Sequence, residues 1–235
     1  EVEFVLKEEL REPKNYLAIL RAIAFGKRKL GEIMNETGIE KALINKYLHT
    51  LTRLLIVERE LPVTEKHPSK SRKGLYRLSD NFFRFWFQYV FPFNSDLEIG
   101  RTGEVVRTFR DQFNTLVALT YEEVCRELVL GWQEKIFPFE RVGKWWDRNQ
   151  EVDLVALNGQ TRQLLIGECK WTQKRVGIYI YDALKEKAKS IDWETNHRSE
   201  RYILFSKSGF TPARIQIAKK EHVLLVEQDS VLNNK

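Results

Sequence analysis

Residues 151–171, EVDLVALNGQTRQLLIGECKW, place charged side chains inside two apolar, strand-like runs that a glycine-containing turn joins. Asp153 lies in the first run, and Glu168 and Lys170 lie near the end of the second. A buried charge needs a partner or water, so strand interiors rarely carry charges without a reason. Two explanations remain open at this point: a metal-dependent catalytic site, or a salt-bridged patch on a sheet.

The turn between the two runs decides whether these charges can meet. Asn158-Gly159 is a strong signal for a two-residue hairpin turn, but such a turn would leave Asp153 and Glu168 about 13 Å apart along the strands. A four-residue loop, 159–162, would instead place the two carboxylates opposite each other, with Cβ atoms about 5 Å apart. We predict the longer loop, with Asp153, Glu168 and Lys170 converging on one face, because side chains two apart on a strand share a face.

The order of elements around this hairpin predicts an α/β architecture. A long helical stretch, about 102–131, precedes a strand within 137–147 and the two strands of the hairpin. Helix, strand, helix and strand then alternate to the end of the chain. This order predicts an α/β sandwich with a mixed sheet, and we assign it to residues 116–235.

The first third of the chain has a different pattern. Two short helical stretches, 15–25 and 29–38, precede a longer one that begins near residue 40. Two strand-like segments, 55–63 and 75–80, then flank a polar loop. Helix, short helix, turn, longer helix and β-hairpin together predict a winged helix-turn-helix domain, 14–80.

Residues 81–115 connect the two domains. They include FFRFWFQYVFPF, 82–93, which we predict to be a buried helix because its aromatic density is typical of packing. This run is too short to span a bilayer, and no membrane partner is expected. Cys125 and Cys169 lie in apolar contexts that do not suggest a disulfide framework, which favours the reducing cytoplasm.

Positive charge is concentrated in the winged-helix half. The chain has a net charge of +6, of which +5 lies in residues 1–92, and residues 66–77 contain five Lys or Arg and no acid. A basic wing next to a helix-turn-helix favours DNA, because phosphate contacts position the recognition helix. Docking of another protein is the alternative. The DNA-binding candidates are Lys70, Arg72, Lys73 and Arg77 in the wing and Lys41, Asn45 and Lys46 on the recognition helix.

The charges of the hairpin suit phosphodiester hydrolysis, which needs a divalent metal to activate water and neutralise developing charge. Mg²⁺, or Mn²⁺ in its place, prefers oxygen ligands. Asp153, Glu168 and the backbone carbonyl of Cys169 would supply them. Lys170 would orient the attacking water or offset phosphate charge, and the long helix could add a carboxylate from Glu122 or Glu123.

The hairpin resembles the D…ExK signature of the PD-(D/E)XK nucleases, which have a restriction-endonuclease-like fold. Asp153 is followed, after fourteen residues, by Glu168-Cys169-Lys170. The chain also contains six segments in this order: NYLAILRAIA, INKYLHTL, YRLSDNFFRFWFQYV, YEEV, EVDLVAL and GECKW. The combination resembles the C-terminal half of archaeal P-loop ATPases of the DUF234 type, in which a winged helix precedes a nuclease-like domain. The resemblance covers nearly the whole chain and implies that Glu122, which follows Tyr121, is the catalytic carboxylate of the helix.

Two departures from this resemblance affect function. Val152 stands where the nucleases usually have proline. The sequence contains no GxxxxGK[ST], so this fragment does not bind ATP through a P-loop; the resemblance places the ATPase domain before Glu1, with 1–13 as the tail of its helical lid. The expected partners are DNA and that ATPase domain, and homo-oligomer formation stays open.

Two functions from different classes are therefore expected. In the first, the winged helix delivers DNA to an endonuclease site that uses Mg²⁺ or Mn²⁺. In the second, both domains bind DNA or protein without cutting it, and they regulate or target an attached ATPase. Metal binding that is lost when Asp153 is changed would favour the first function over the second.

Overall fold

The computed structural model describes residues 12–232, so the predicted lid tail, 1–13, lies almost entirely outside the described residues. The chain divides into two compact units. One contains the described part of Glu1–Glu60 together with Arg72–Phe113, and the other contains Leu61–Ser71 and the described part of Asn114–Lys235.

The first unit begins with three helices: α1 (Pro13–Ala24), α2 (Leu30–Thr37) and α3 (Lys41–Arg53). Proline at the start of α1 is favourable because the first helical N–H has no partner within the helix. Gly38 ends α2 in the left-handed conformation with a φ of 68°. The apolar stripes of the three helices pack into one core, in which Ile19, Ile33 and Ile44 are fully buried.

A small antiparallel sheet follows the helices. It pairs β1 (Val57–Glu60) with β2 (Leu75–Leu78), and Val57 lies opposite Leu78. The helical expectations for 15–25, 29–38 and the segment after residue 40 are therefore confirmed, as is the strand pair.

The aromatic segment, 82–93, is buried as expected but is not one regular helix. It consists of α4 (Asn81–Phe85), a π-helical turn (Trp86–Val90) and a 3₁₀ turn (Phe91–Phe93). Pro92 lacks a backbone N–H, so regular helix cannot continue through it. Phe87 and Tyr89 are almost completely buried, which supports a packing role. The short helix α5 (Asn94–Glu98) follows.

The second unit is a six-stranded mixed sheet with helices on both faces. The long helix α6 (Gly103–Gly131) precedes β3 (Arg141–Trp146), β4 (Glu151–Asn158) and β5 (Gln163–Lys170). The chain continues through α7 (Ile178–Lys189), β6 (Ser199–Ser206), α8 (Pro212–Glu221), β7 (Leu224–Glu227) and β8 (Ser230–Val231). The strands lie in sequence order, β5–β6 and β6–β7 are parallel, and the other pairs are antiparallel.

Each face of this sheet has its own core. Val155, Leu157 and Ile166 pack with the buried side chains of α7 and α8, whereas Leu154, Ala156 and Leu165 pack with those of α6. Strands β4 and β5 are buried on both faces, which explains their nearly continuous apolar sequences. The alternation of faces also shows on which side of the sheet each charged residue lies.

The loop Leu61–Ser71 packs with the second unit, although the sequence placed it within the winged-helix domain, 14–80. The Val63 N–H donates to the Lys144 carbonyl at 2.8 Å, and Arg141 donates to the Glu65 carbonyl at 2.9 Å. Since β3 is an edge strand, the first of these contacts satisfies a backbone carbonyl that an exposed sheet edge would leave open. The domain boundary therefore differs from the expected one.

Among the helices of residues 12–232, none combines the length and the apolar character that crossing a membrane requires.

Gly167 provides a test of the packing in the middle of the sheet. It lies between Leu154 on β4 and Ile203 on β6, and an added Cβ would come within 2.9 Å of Ile203 Cγ2 and 3.1 Å of Leu154 Cβ. We expect Gly167→Ala to lower the free energy of unfolding by roughly 1–3 kcal/mol because both neighbours belong to well-packed strands. Denaturant unfolding measures this change.

Gly131→Ala is the matched control, since nothing lies within 4 Å of the position of its added Cβ. If both variants lose the same stability, the close packing around Gly167 does not explain the effect.

Candidate metal centre

The loop between β4 and β5 has the predicted four residues. Asn158 pairs with Gln163, and the ladder continues in this register to the pair of Leu154 and Gly167. The Asn158 side chain donates to the Pro138 carbonyl at 2.9 Å and accepts from the Thr161 N–H at 3.0 Å. These contacts hold Asn158 at the end of the strand, which explains why the two-residue turn does not form.

The ladder between β3 and β4 is interrupted where the charges lie. Gly143 pairs with Val155 but Trp145 pairs with Val152, so Lys144 alone faces two residues of β4, Asp153 and Leu154. This is a β-bulge with its extra residue on β4. Bulges redirect side chains and are common next to functional sites.

The bulge changes which face each side chain of β4 occupies. Regular alternation would put Val152 and Leu154 on the same face, yet Val152 packs with the α7 and α8 core whereas Leu154 packs with the α6 core. Glu151 and Asp153 flank Val152, so they lie towards the α6 face. This is the side of the sheet on which α6 carries Glu122.

Three carboxylates meet there, from Glu122 on α6 and from Glu151 and Asp153 on β4. One oxygen of each lies within 4.8 Å of the others. All three residues are partly buried, which strengthens their electrostatic interactions relative to water. Carboxylate oxygens are the ligands that Mg²⁺ and Mn²⁺ prefer.

Lys144 is the positive charge of this group. Its ammonium is hydrogen-bonded to Glu122 and lies 3.2 Å from Glu151, and the side chain is 8% exposed. Burial acts to lower the pKa of Lys144, but Glu122 and Glu151 outweigh burial, and its pKa is raised. The ammonium therefore stays charged at neutral pH.

Asp153 is bound differently from its two neighbours. Its carboxylate accepts the Cys169 N–H at 2.9 Å, where the ladder between β4 and β5 ends. Burial, together with the nearby charges of Glu168 and Glu122, raises the pKa of Asp153 to about 7. Near neutral pH, this carboxyl is consequently divided between its charged and its protonated form.

Glu168 lies outside the group of three and is held by two lysines. Lys170 Nζ lies 2.6 Å from its Oε1, and Lys187 Nζ from α7 lies 2.9 Å from its Oε2. Burial acts to lower the pKa of Lys170, but Glu168 outweighs it and the pKa is raised. Lys170 therefore remains a cation and is unsuited to act as a general base.

We expected Asp153, Glu168 and Lys170 to share one face, but the structure places Asp153 on a different side of the sheet from Glu168. Glu168 contacts α7, whereas Asp153 groups with Glu122 and Glu151 on the α6 side. The physical cause is the bulge, which turns Asp153 away from the face that the β4–β5 register alone would give it. Asp153 and Glu168 still interact electrostatically, and their strands remain linked through the Cys169 N–H.

Three charged residues of this centre were not found from sequence: Glu151, Lys144 and Lys187. Glu151 had a signal, since it lies two residues before Asp153 on the same strand and thus shares its face. Lys144 and Lys187 come from other elements, and nothing in the sequence connects them with the hairpin. The carbonyl of Cys169 stays a prediction as a ligand; the Cys169 side chain is buried in the α6 core.

The candidate DNA-binding residues on α3 lie on its exposed side. Lys41, Asn45 and Lys46 are exposed, whereas the opposite side of α3 is buried. The helix contains no acidic residue. Its exposed surface is therefore positively charged, as a phosphate-binding helix requires.

The candidates of the wing are in different environments. Arg72 and Lys73 are exposed in the first unit, and Lys70 is exposed in the loop that packs with the second unit. Arg77 lies 2.8 Å from Glu58 and 3.1 Å from Glu60 across the two-stranded sheet. These two carboxylates balance the charge of Arg77, which makes it a weaker candidate for phosphate binding.

Residues 86–190 match the DUF234 family, which is described as archaea bacterial proteins of unknown function. The chain is also 37% identical over 196 residues to the uncharacterized protein MJECL04 of Methanocaldococcus jannaschii. This match covers 81% of the chain and 44% of the relative, so the chain spans less than half of that protein. All seven charged residues described above, at the candidate metal centre and around Glu168, lie within 86–190.

The chain is also similar to a crystal structure of protein VC1899 from Vibrio cholerae, with 17% sequence identity and a TM-score of 0.28. The match covers 91% of the present chain and 47% of the VC1899 chain.

The raised pKa of Asp153 predicts how stability depends on pH. In the unfolded chain this carboxyl ionises near 3.8 and in the folded protein near 7, so between these values the folded protein holds the extra proton and raising the pH favours unfolding. In metal-free buffer we expect wild type to lose roughly 2–4 kcal/mol relative to Asp153→Asn between pH 4 and pH 7, and nothing further above that. Denaturant unfolding at several pH values measures the difference.

Asp192→Asn, at an exposed position of the same unit, is the control and should show no such trend. A constant difference between Asp153→Asn and wild type at all pH values would contradict the prediction.

Proposed function

We propose that this chain binds DNA through its first unit and hydrolyses phosphodiester bonds at the acidic centre of its second unit, with Mg²⁺ or Mn²⁺. The observation that carries the proposal is the meeting of Glu122, Glu151 and Asp153 at the bulge. The β4–β5 hairpin beside it carries the D…ExK residues, and the mixed sheet with helices on both faces agrees with a restriction-endonuclease-like domain.

The carboxylates fit a divalent ion. Their oxygens lie within 4.8 Å of one another, and two opposed Mg–O bonds span about 4.2 Å, so small side-chain rotations allow all three to reach one ion. Asp153 supports this assignment, because a carboxyl whose pKa is raised by burial and by other carboxylates gains most from a nearby cation. When bound, the ion would activate a water molecule and stabilise the charge that develops on the phosphate.

The lysines would serve the reaction as fixed charges. Lys170 is about one-third exposed, and Glu168 holds its ammonium in place. Because Lys170 stays protonated, it would donate a hydrogen bond to a phosphate oxygen or to the leaving group and offset negative charge. Lys187 would keep Glu168 in position from α7.

DNA binding is supported by the arrangement of the first unit. Three helices followed by a two-stranded sheet are the elements of a winged helix, with α3 in the place of the recognition helix. Its exposed lysines and the exposed Arg72 would contact phosphates, and Asn45 would reach base edges.

The whole protein is proposed to be larger. The relative from Methanocaldococcus jannaschii is more than twice as long as the matched region, and we propose that a P-loop ATPase domain occupies the additional length. DNA binding by the present chain would then target or regulate that ATPase, in the cytoplasm.

One observation favours a non-catalytic module as the second candidate. Glu122 and Glu151 share Lys144, and Glu168 is bound by Lys170 and Lys187. Carboxylates paired in this way can also form a purely structural network. In that case both units would bind DNA or protein without cutting it.

Cleavage assays on single-stranded, duplex and branched DNA with Mg²⁺ or Mn²⁺ distinguish the two functions. We expect Lys170→Ala to lower the cleavage rate by at least about a hundredfold while DNA affinity changes by less than about threefold, because removing a charge near the transition state costs this much. Asp153→Asn should also weaken metal binding, since it removes a hard anionic ligand.

Lys189→Ala is the control, because Lys189 is exposed on α7 and forms a local ion pair with Glu186, three residues earlier. Cleavage that survives in both Lys170→Ala and Asp153→Asn comes from another protein. DNA binding without any cleavage by wild type would identify the non-catalytic module.

DNA binding through α3 is tested by its salt dependence. Lys41→Ala/Lys46→Ala should reduce the slope of log K against log[salt] by roughly 1.8, since each lost phosphate contact is worth about 0.9. Titrations at several salt concentrations, with labelled duplex DNA, measure the slope.

The control Lys14→Ala/Lys29→Ala removes the same charge from two exposed positions of the same unit. Equal loss of slope in both double variants would show that the positive charge acts diffusely and that α3 has no special role.

A further inference from the structure

The ammonium of Lys144 lies among the carboxylates that we assign to the metal. It bonds Glu122 and Glu151, two of the three residues of the centre. A divalent ion that takes oxygens from Glu122, Glu151 and Asp153 would therefore meet a positive charge that is already bound to two of them. This competition follows from the position of Lys144 and does not depend on which reaction the centre performs.

Lys144 has little freedom to withdraw. Its side chain is 8% exposed and starts from the interior of β3, opposite the bulge. Its carbonyl accepts the Val63 N–H, which fixes the backbone at this position. Moving the ammonium away would leave a buried charge without its partners, which is strongly unfavourable.

The carboxylates are unequally neutralised. Glu122 and Glu151 share the ammonium, whereas Asp153 accepts only the Cys169 N–H among the hydrogen bonds of the described residues. A divalent ion is therefore attracted most strongly to Asp153 and repelled from the position that Lys144 holds. Two-metal sites place their ions about 3.5–4 Å apart with carboxylates between them. The ammonium, which is bound to both Glu122 and Glu151, would keep a second ion from sharing these two carboxylates.

We propose that Lys144 is a built-in competing cation, which restricts this centre to one divalent ion and lowers the affinity for that ion. The inference rests on the proposed metal site and adds the number of ions and the residue that controls their affinity. It also implies that the folded protein is stable without metal, because Lys144 offsets part of the negative charge of the cluster in its absence.

The test is direct binding of Mn²⁺, without DNA, to wild type and to Lys144→Gln at pH 8. Glutamine keeps much of the length and can donate hydrogen bonds to Glu122 and Glu151, but it carries no charge. We expect one weak site in wild type and at least tenfold tighter binding in the variant, because a positive charge a few ångströms from the ion is removed. Calorimetry gives both the affinity and the number of ions.

A second pair of variants covers the case in which Lys144→Gln does not fold. Lys144→Gln/Glu151→Gln removes one charge of each sign, and it is compared with Glu151→Gln alone. The competing-cation proposal predicts tighter Mn²⁺ binding by the double variant than by Glu151→Gln. Mn²⁺ should also raise the melting temperature of the tighter-binding protein more.

Lys185→Gln is the matched control. Lys185 also pairs with a carboxylate in the same unit, Asp182 at 3.1 Å on α7. Its substitution therefore removes the same charge at a position outside the acidic cluster. Its affinity for Mn²⁺ should equal that of wild type.

The outcomes separate this inference from the proposed function. Equal Mn²⁺ affinity in wild type and Lys144→Gln, or two ions in wild type, overturns the role of Lys144 and leaves the metal-dependent function standing. Binding to Lys144→Gln but not to wild type supports the role of Lys144 and contradicts a metal-dependent function. Binding to neither protein overturns both.

Discussion

The bulge between β3 and β4 is the constraint on which the charged centre depends. It puts two residues of β4, Asp153 and Leu154, opposite Lys144, and so turns the acidic part of β4 towards α6. Without the extra residue, Asp153 would face α7 and α8, where Glu168 already has two lysines. The bulge thus separates the charges into two groups on the two sides of the sheet. Asp153 remains between them, bonded to the backbone of β5.

Much of this arrangement could be predicted from the sequence, and the failures have physical causes. The order of helices and strands in the second unit followed from periodicity, and the four-residue loop followed from the need to bring Asp153 and Glu168 together. The bulge could not be predicted because Val152, Leu154 and Val155 are all apolar. A strand that is buried on both faces has no polar alternation that could show a shift of one residue. Lys144 was missed because it lies on β3, and only the pairing of β3 with β4 brings it to the acidic residues. Glu151 was missed although its spacing from Asp153 could have shown it.

The first unit shows a similar limit. The helices and the paired strands were predictable from apolar spacing and from the glycine that ends α2. The partner of Arg77 depends on the register of β1 and β2, which puts Glu58 directly opposite it; a count of basic residues along the chain does not contain this information. The loop 61–71 was assigned to the wing because it connects two strands, yet its backbone hydrogen bonds join it to β3. Charge alone therefore overestimates the proposed DNA-binding surface, and the exposed lysines of α3 are the part of it that the structure supports best.

A salt-bridged patch and a metal site are compatible descriptions of the second unit. Four carboxylates, those of Glu122, Glu151, Asp153 and Glu168, lie close to three ammonium groups, those of Lys144, Lys170 and Lys187. The lysines allow the acidic residues to be buried without metal, and they leave one negative charge unbalanced. That charge belongs to Asp153, whose carboxyl is partly ionised and partly protonated near neutral pH because its pKa is about 7. A divalent ion at Asp153 would replace this proton, so metal binding and deprotonation are linked and a rise in pH favours the ion. The same carboxyl that is unfavourable for the metal-free fold at neutral pH is therefore the one that would attract the proposed cation most strongly.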